Sequence, residues 1–297
     1  MAQYYGELAA LLTAFFWTIT SLAFESASKK VGSLAVNMIR LFLAFIFLTI
    51  YNYFSRGLLL PTDAGTHAWI WLGISGLVGF VFGDYFLFRS YTIVSSRIAM
   101  LIMTLVPPIT AVIGYFLLSE TMTLQHIAGM GLTLGGISLA IISRPGKNGK
   151  MKLNYPLKGL LFAFGGAVGQ AVGLVLSKYG MGSYDPFAAT QLRIIAGMVG
   201  FGVIILMIRK TSLVTSALKN SKAMRGISIG SVFGPFLGVS FSLVAIKFTS
   251  TGIASTLMAT VPILIIAPAA LVFKERISLK EIIGAIISFS GVVLFFV

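Results

Sequence analysis

The stretch LVPPITAVIGYFLLSE, Leu105 to Glu120, returns 155 positions later as TVPILIIAPAALVFKE, Thr260 to Glu275. From Ser95 and Ser250 onward, the two segments align without a gap as far as Val297. Pro107 meets Pro262, Met103 meets Met258, Glu120 meets Glu275, Gly129 meets Gly284 and Gly136 meets Gly291. Traced backward, Gly79 and Gly83 meet Gly234 and Gly238 at the same offset, while Arg40 meets Arg193 and Trp17 meets Gln170 at an offset of 153. Any two apolar helices align loosely, but proline, glutamate and glycine in one register do not do so by chance. The chain must therefore fold as two like halves.

The material of each half is apolar. Of 297 residues, 57% are hydrophobic and 10% charged, against roughly 45–50% and 25% in soluble domains. Ten runs are each of a length to cross a hydrocarbon core of about 30 Å as helix. In the first half they are Leu8 to Phe24, Leu34 to Phe54, Ala68 to Phe88, Ile98 to Leu118 and Leu124 to Ile142. In the second they are Leu157 to Leu176, Phe187 to Ile208, Gly226 to Ala245, Ile253 to Phe273 and Ile282 to Phe296. The expected fold is an all-α polytopic membrane protein with halves at 1–143 and 157–297, joined by a basic linker at 144–156 that holds RPGKNGK. Five spans per half is odd, so the second copy enters the membrane from the opposite face, and the two repeats are inverted. That arrangement gives one sequence two shapes of similar energy, open to either side, as secondary transporters require.

No gap houses a soluble domain, so any activity resides in the membrane or at its surfaces. The first run has neither a basic leader nor a small-residue cleavage site and reads as a retained span. The net charge of +14 is scattered over short loops and forms no patch for nucleic acid. Ten spans place Arg56, Lys178 and Lys247 on one side with both termini, and seventeen lysines and arginines on the other. The positive-inside rule then puts the termini outside and the basic loops in the cytoplasm. The absence of cysteine excludes disulfides, thiolate metal sites and cysteine nucleophiles.

Pro107 and Pro262 fall near the middle of the fourth and ninth spans, whereas Pro108 and Pro268 are each confined to one half. Each removes a helical hydrogen bond and frees a carbonyl one turn earlier. In lipid the freed group needs protein or water, so these prolines mark either hinges beside an internal cavity or static kinks. Gly76, Gly79 and Gly83, and Gly226, Gly230, Gly234 and Gly238, form stripes that let a neighbouring helix approach closely. Ionisable groups in the membrane core are costly unless paired or wetted. Asp84 in the third span and Arg40 in the second are placed to pair, as an ionic gate, a substrate contact or a structural bridge, and Arg193 occupies the mirror position of Arg40. Glu120 and Glu275 read as interfacial helix ends. Trp17 and Gln170, at the middle of the first and sixth spans, could wall a transport pathway, or Trp17 could simply be buried or face lipid.

Catalytic readings fail on inspection. GISG, Gly73 to Gly76, has the spelling of an intramembrane serine protease, but His67 and His126 fall at span ends. Asp84 is the only deep aspartate, and no cluster of metal ligands or cofactor motif is present.

The first span's FFWTIT, the second's IRLFLAF, the block FGDYFLFRSYTIVSSRIAMLIMTLVPPITAVIGYFLLSE and the later TGIASTLMATVPILIIAPAALVFKERISLKEIIGAIISFSGVVL together resemble the drug/metabolite transporter superfamily, EamA type. The resemblance implies a secondary transporter of a bacterial inner membrane, most often an exporter of amino acids or related metabolites. It implies a small-molecule substrate and a central cavity lined by the first, third, fourth, sixth, eighth and ninth spans. Carried over to this chain, it makes Trp17, Tyr85, Thr104, Gln170, Ser240 and Met258 cavity candidates. Asp84 and Arg89 make the third span more polar than the family pattern, which leaves the substrate's charge open. The competing reading is a non-transporting membrane partner, such as a lipid-handling or assembly factor.

Overall fold

The computed structural model describes residues 4–94, 96–142, 156–265 and 279–296. Ser95, Pro268, Glu275 and nearly all of the basic linker therefore lie outside the described residues. Within them, the regular elements are α1 (Tyr5–Val31), α2 (Ser33–Arg56), α3 (Thr66–Tyr91), α4 (Ser96–Met103), α5 (Val106–Leu118), α6 (Leu124–Ile142), α7 (Leu157–Met181), α8 (Pro186–Met207), α9 (Ser212–Leu218), α10 (Ser221–Phe248), α11 (Thr251–Met258), α12 (Val261–Leu264) and α13 (Leu279–Val293). Seven segments are long and apolar enough to cross a bilayer: α1, α2, α3, α4 with α5, α7, α8 and α10. Of the other three expected spans, α6 is an apolar helix of 19 residues. The remaining two appear as shorter apolar helices, Thr251–Leu264 and Ile282–Val293.

The helix starts follow local chemistry. Asp185 caps α8 by accepting from Ala188 N, with Pro186 at the first turn, where its missing N–H costs nothing. Asn220 and Ser250 cap α10 and α11 in the same way. The fourth and ninth spans are interrupted just before their prolines, at Thr104–Leu105 and at Ala259–Thr260. Across the first break the chain tightens, Thr104 N donating to Leu101 O and Leu105 N to Ile102 O, and the Thr104 hydroxyl also donates to Leu101 O at 2.6 Å. Thr260 does the same to Leu257 O at the second break.

A feature absent from the expectations is a π-helical segment inside both α3 and α10, at Leu77–Asp84 and Val232–Gly238. These are repeat-equivalent positions. A wider turn gives the ring of Pro235, within the second segment, room that an α-turn would deny it. In both cases the widened turn opens beside a neighbouring helix and shifts the phase of everything after it.

The two halves pack through one another, not side by side. α3 runs along α7 as α10 runs along α1; α2 packs on α8, α5 on α11, and α6 on α13. Every one of these contacts joins the first half to the second, and each has its counterpart with the halves exchanged. Glycine makes the approach close enough. An added Cβ at Gly169 would sit 2.5 Å from Gly83 Cα, one at Gly173 2.9 Å from Gly79 Cα, and one at Gly136 2.4 Å from Ser288 N. Buried polar bonds add register: Asn52 Nδ2 donates to Gln191 Oε1 at 2.8 Å, and the Thr110 and Ser255 hydroxyls meet at 2.6 Å.

One end of the bundle is laced between halves. Lys178 Nζ lies 2.6 Å from Glu120 Oε1 and donates to Thr249 O, while Glu120 Oε2 accepts from Thr251 N and its hydroxyl. Nearby, Asp63 accepts from Arg56 and from the Tyr184 hydroxyl. Burial would raise the Asp63 carboxyl, but the Tyr184 bond and the Arg56 charge hold it below the usual carboxylate range. Burial and the bond to Asp63 push Tyr184 up to about 12.

Candidate functional site

A cavity of about 110 Å³ lies where the halves meet. Its walls come from all six spans expected to line it, with the second and seventh adding one arginine each. Trp17 and Gln170 enter near the centres of α1 (27 residues) and α7 (25 residues), as repeat counterparts should. Glycine sets their depth: Gln170 N lies 3.2 Å from a Cβ built at Gly83, and Trp17 Nε1 lies 2.6 Å from one built at Gly238. The two helix crossings thus place an indole and an amide at mirror positions.

Asp84, the last residue of the first π-helical segment, is the electrostatic centre. Its Oδ2 accepts from Arg40 Nη2, and its Oδ1 accepts from Gln170 Nε2 at 2.5 Å. Arg40 also donates from Nε to Asn37 Oδ1 at 2.9 Å. Its guanidinium sits over the Phe88, Phe24 and Phe80 rings at 4.7, 5.5 and 5.6 Å from their centroids. Both partners are buried, with side chains 4% and 6% exposed. A buried ion pair is tolerated when its remaining valences are filled, and here hydrogen bonds and ring faces fill them. Of the readings of this pair, the geometry establishes the bridge itself.

Arg193 also faces the cavity, 3% exposed, with its guanidinium 4.9 Å from the Phe80 centroid. Its Nε is buried without a hydrogen-bond partner among the described residues. The serine hydroxyls of the cavity wall donate to their own helices: Ser21 to Thr18 O, Ser242 to Val239 O and Ser255 to Gly252 O. The rest of the lining is apolar, including Met100, Met103, Met258, Val261 and Leu174.

The structure brings together Trp17, Arg40, Asp84, Gln170, Arg193, Met258 and Pro262 in one cavity. Tyr85, Thr104, Ser240 and Pro107 are not among its walls. Neighbouring residues on a helix point about 100° apart. Tyr85 is thus rotated off the face that carries Asp84 and packs against Phe86, and its repeat counterpart Ser240 is rotated off the face of Val239 and Ser242. The Ser240 hydroxyl is completely buried with no partner among the described residues. Thr104 spends its hydroxyl on Leu101 O, which also accepts from the Thr104 N–H. The phenylalanine cage and Tyr91 were not foreseen. Phe24, Phe80 and Phe88 carried no distinguishing signal among 24 phenylalanines.

Ser75 of GISG is fixed in a helix contact, bonded to Gly173 O and to the Ser177 hydroxyl at 2.7 Å each. His67 lies against Tyr179 O at 3.1 Å. No group of three or more potential metal ligands occurs among the described residues.

No curated protein matches this sequence. A solved crystal structure, described only as that of a protein, superposes with a TM-score of 0.75 at 18% identity, covering 98% of this chain and 95% of its own. That likeness establishes the fold. The profile of the EamA-like transporter family matches twice, over residues 4–142 and 157–297. Its members are membrane transporters of the drug/metabolite superfamily, not enzymes, and with both halves matched the chain belongs to the EamA-like transporter family.

Proposed function

We propose that the chain is a secondary transporter that moves a small organic metabolite outward across a bacterial inner membrane, with the central cavity as its transport site. The proposed frame is ten spans in two inverted five-helix repeats, halves at 1–143 and 157–297, with both termini outside. The observation that carries this reading is the position of the cavity: it lies on the seam between the halves, with Arg40 and Asp84 contributed by the first half and Gln170 and Arg193 by the second. A seam whose contacts are mirrored by exchange of the halves can open at either end at similar energy. Breaks before Pro107 and Pro262 put one discontinuous span in each half beside that seam, and these are the proposed hinges. Opening at the laced end would release Lys178 from Glu120 and Tyr184 from Asp63. In this reading, Arg40 and Asp84 hold the pathway's shape and charge.

Purified protein in proteoliposomes, offered labelled amino acids and organic acids with and without a pH gradient, tests the proposal. Saturable flux of at least one solute is expected, together with counterflow when unlabelled solute is preloaded. Absence of flux across the panel, with a second protein copurifying in fixed ratio, would support a non-transporting partner instead.

A further inference from the structure

We propose that the cavity takes a small organic monoanion, its carboxylate or equivalent acidic group docked on Arg193 and its apolar body against the Phe80 ring and the Met100, Met103 and Met258 walls. This rests on the transport-site reading above.

The cavity's charges do not balance. Two arginines face it against one carboxylate, Asp84. That carboxylate is already used on both oxygens, by Arg40 and by Gln170. Arg40 is held by Asp84, by Asn37 and by three phenylalanine rings. Arg193 has one ring beneath it, an unpartnered buried Nε and no ion pair among the described residues.

The duplication explains how this came about. Arg40 and Arg193 are counterparts, but the counterpart of Asp84 is Val239, itself a cavity wall. The second arginine was kept without its carboxylate. A guanidinium is always charged and presents a planar fork that matches a carboxylate. Buried with only the distant field of Asp84, a carboxylate that Arg40 and Gln170 already engage, it is costly, and a bound anion lowers that cost.

The same arrangement disfavours other charge types. An ammonium group would add to an uncompensated positive charge and find no open carboxylate. A zwitterion would satisfy Arg193 at one end and leave its ammonium unpaired, because Asp84 is engaged. A single carboxylate on an apolar body leaves nothing unmatched.

Four probes that share a phenyl body test this on the intact protein in detergent: phenylacetate, phenethylammonium, phenylalanine and phenethyl alcohol, each read by the rise in melting temperature at matched ionic strength. Phenylacetate is expected to give the largest rise, and sodium chloride at the same concentration none. In Arg193→Gln its affinity should fall about tenfold or more, as expected for loss of a charge-assisted hydrogen bond, with Arg193→Lys intermediate. No rise with phenylacetate, an equal rise with sodium chloride or phenethylammonium, or an unchanged affinity in Arg193→Gln would each overturn the proposal. If Arg193→Gln does not fold, the wild-type charge series alone decides. Phenylacetate binding without flux in proteoliposomes would refute the transport reading and leave the anion site standing. Flux of the ammonium or zwitterion probe without phenylacetate binding would do the reverse.

Discussion

Replacing Asp84 with alanine is expected to destabilise the protein more than any other single substitution of a cavity residue, by about 3–5 kcal/mol, the range for stranding one partner of a buried ion pair. Two arginines would then face the same cavity with no carboxylate, and the Gln170 amide would lose its acceptor. The bridge itself is not expected to be worth that much, because desolvation of both ions offsets most of their attraction. An Arg40→Leu, Asp84→Ala double substitution should therefore recover most of the loss. Denaturation of the four variants in detergent, arranged as a double-mutant cycle, measures the difference. An Asp84→Ala protein as stable as wild type would show that Arg40 does not depend on its partner.

The second large effect is expected at the helix crossing that sets the cavity's width. A Cβ on residue 169 falls 2.5 Å from Gly83 Cα and 2.8 Å from Gly83 N, backbone atoms that cannot rotate away. Gly169→Leu should force α3 and α7 apart and cost at least the 1–3 kcal/mol typical of overpacking. Because Asp84 follows Gly83 and Gln170 follows Gly169, the same displacement should break the Gln170–Asp84 bond and weaken binding at the cavity. Gly202→Leu is the matched control, with no heavy atom within 4 Å of the added Cβ. Equal stability of the two variants would mean that the crossing is not close in the folded protein.

What the sequence disclosed, and what it hid, follows from these same contacts. Arg40 and Asp84 could be matched in advance because an apolar span leaves a charge few partners, and both stand within two turns of the same end of their spans. Trp17 and Gln170 could be matched through the repeat. Tyr85 and Ser240 came only from the family resemblance; each stands one residue past a wall residue, Asp84 and Val239, and the step of about 100° between neighbours on a helix turns it off that face. Thr104, likewise a candidate by resemblance alone, turns its hydroxyl back onto Leu101 O at the break before Pro107, a local bond with no signature in the sequence. The phenylalanine cage around Arg40 was hidden because phenylalanines that face lipid and those that face a cavity have the same spelling. The close-approach glycines of α7, Gly166, Gly169 and Gly173, follow the same spacing logic as the stripes on α3 and α10, yet they acquire meaning only once α3 is known to be their partner.

Alternating access is tested most directly by cysteine accessibility, which is clean here because the chain has no cysteine of its own. A single Met258→Cys, on the cavity wall, would be exposed in oriented vesicles to a small membrane-impermeant thiol reagent, added first to one face and then to the other. The account predicts reaction from both faces, slowed on both by a transported solute. Reaction from one face only, whatever the solute, would contradict it.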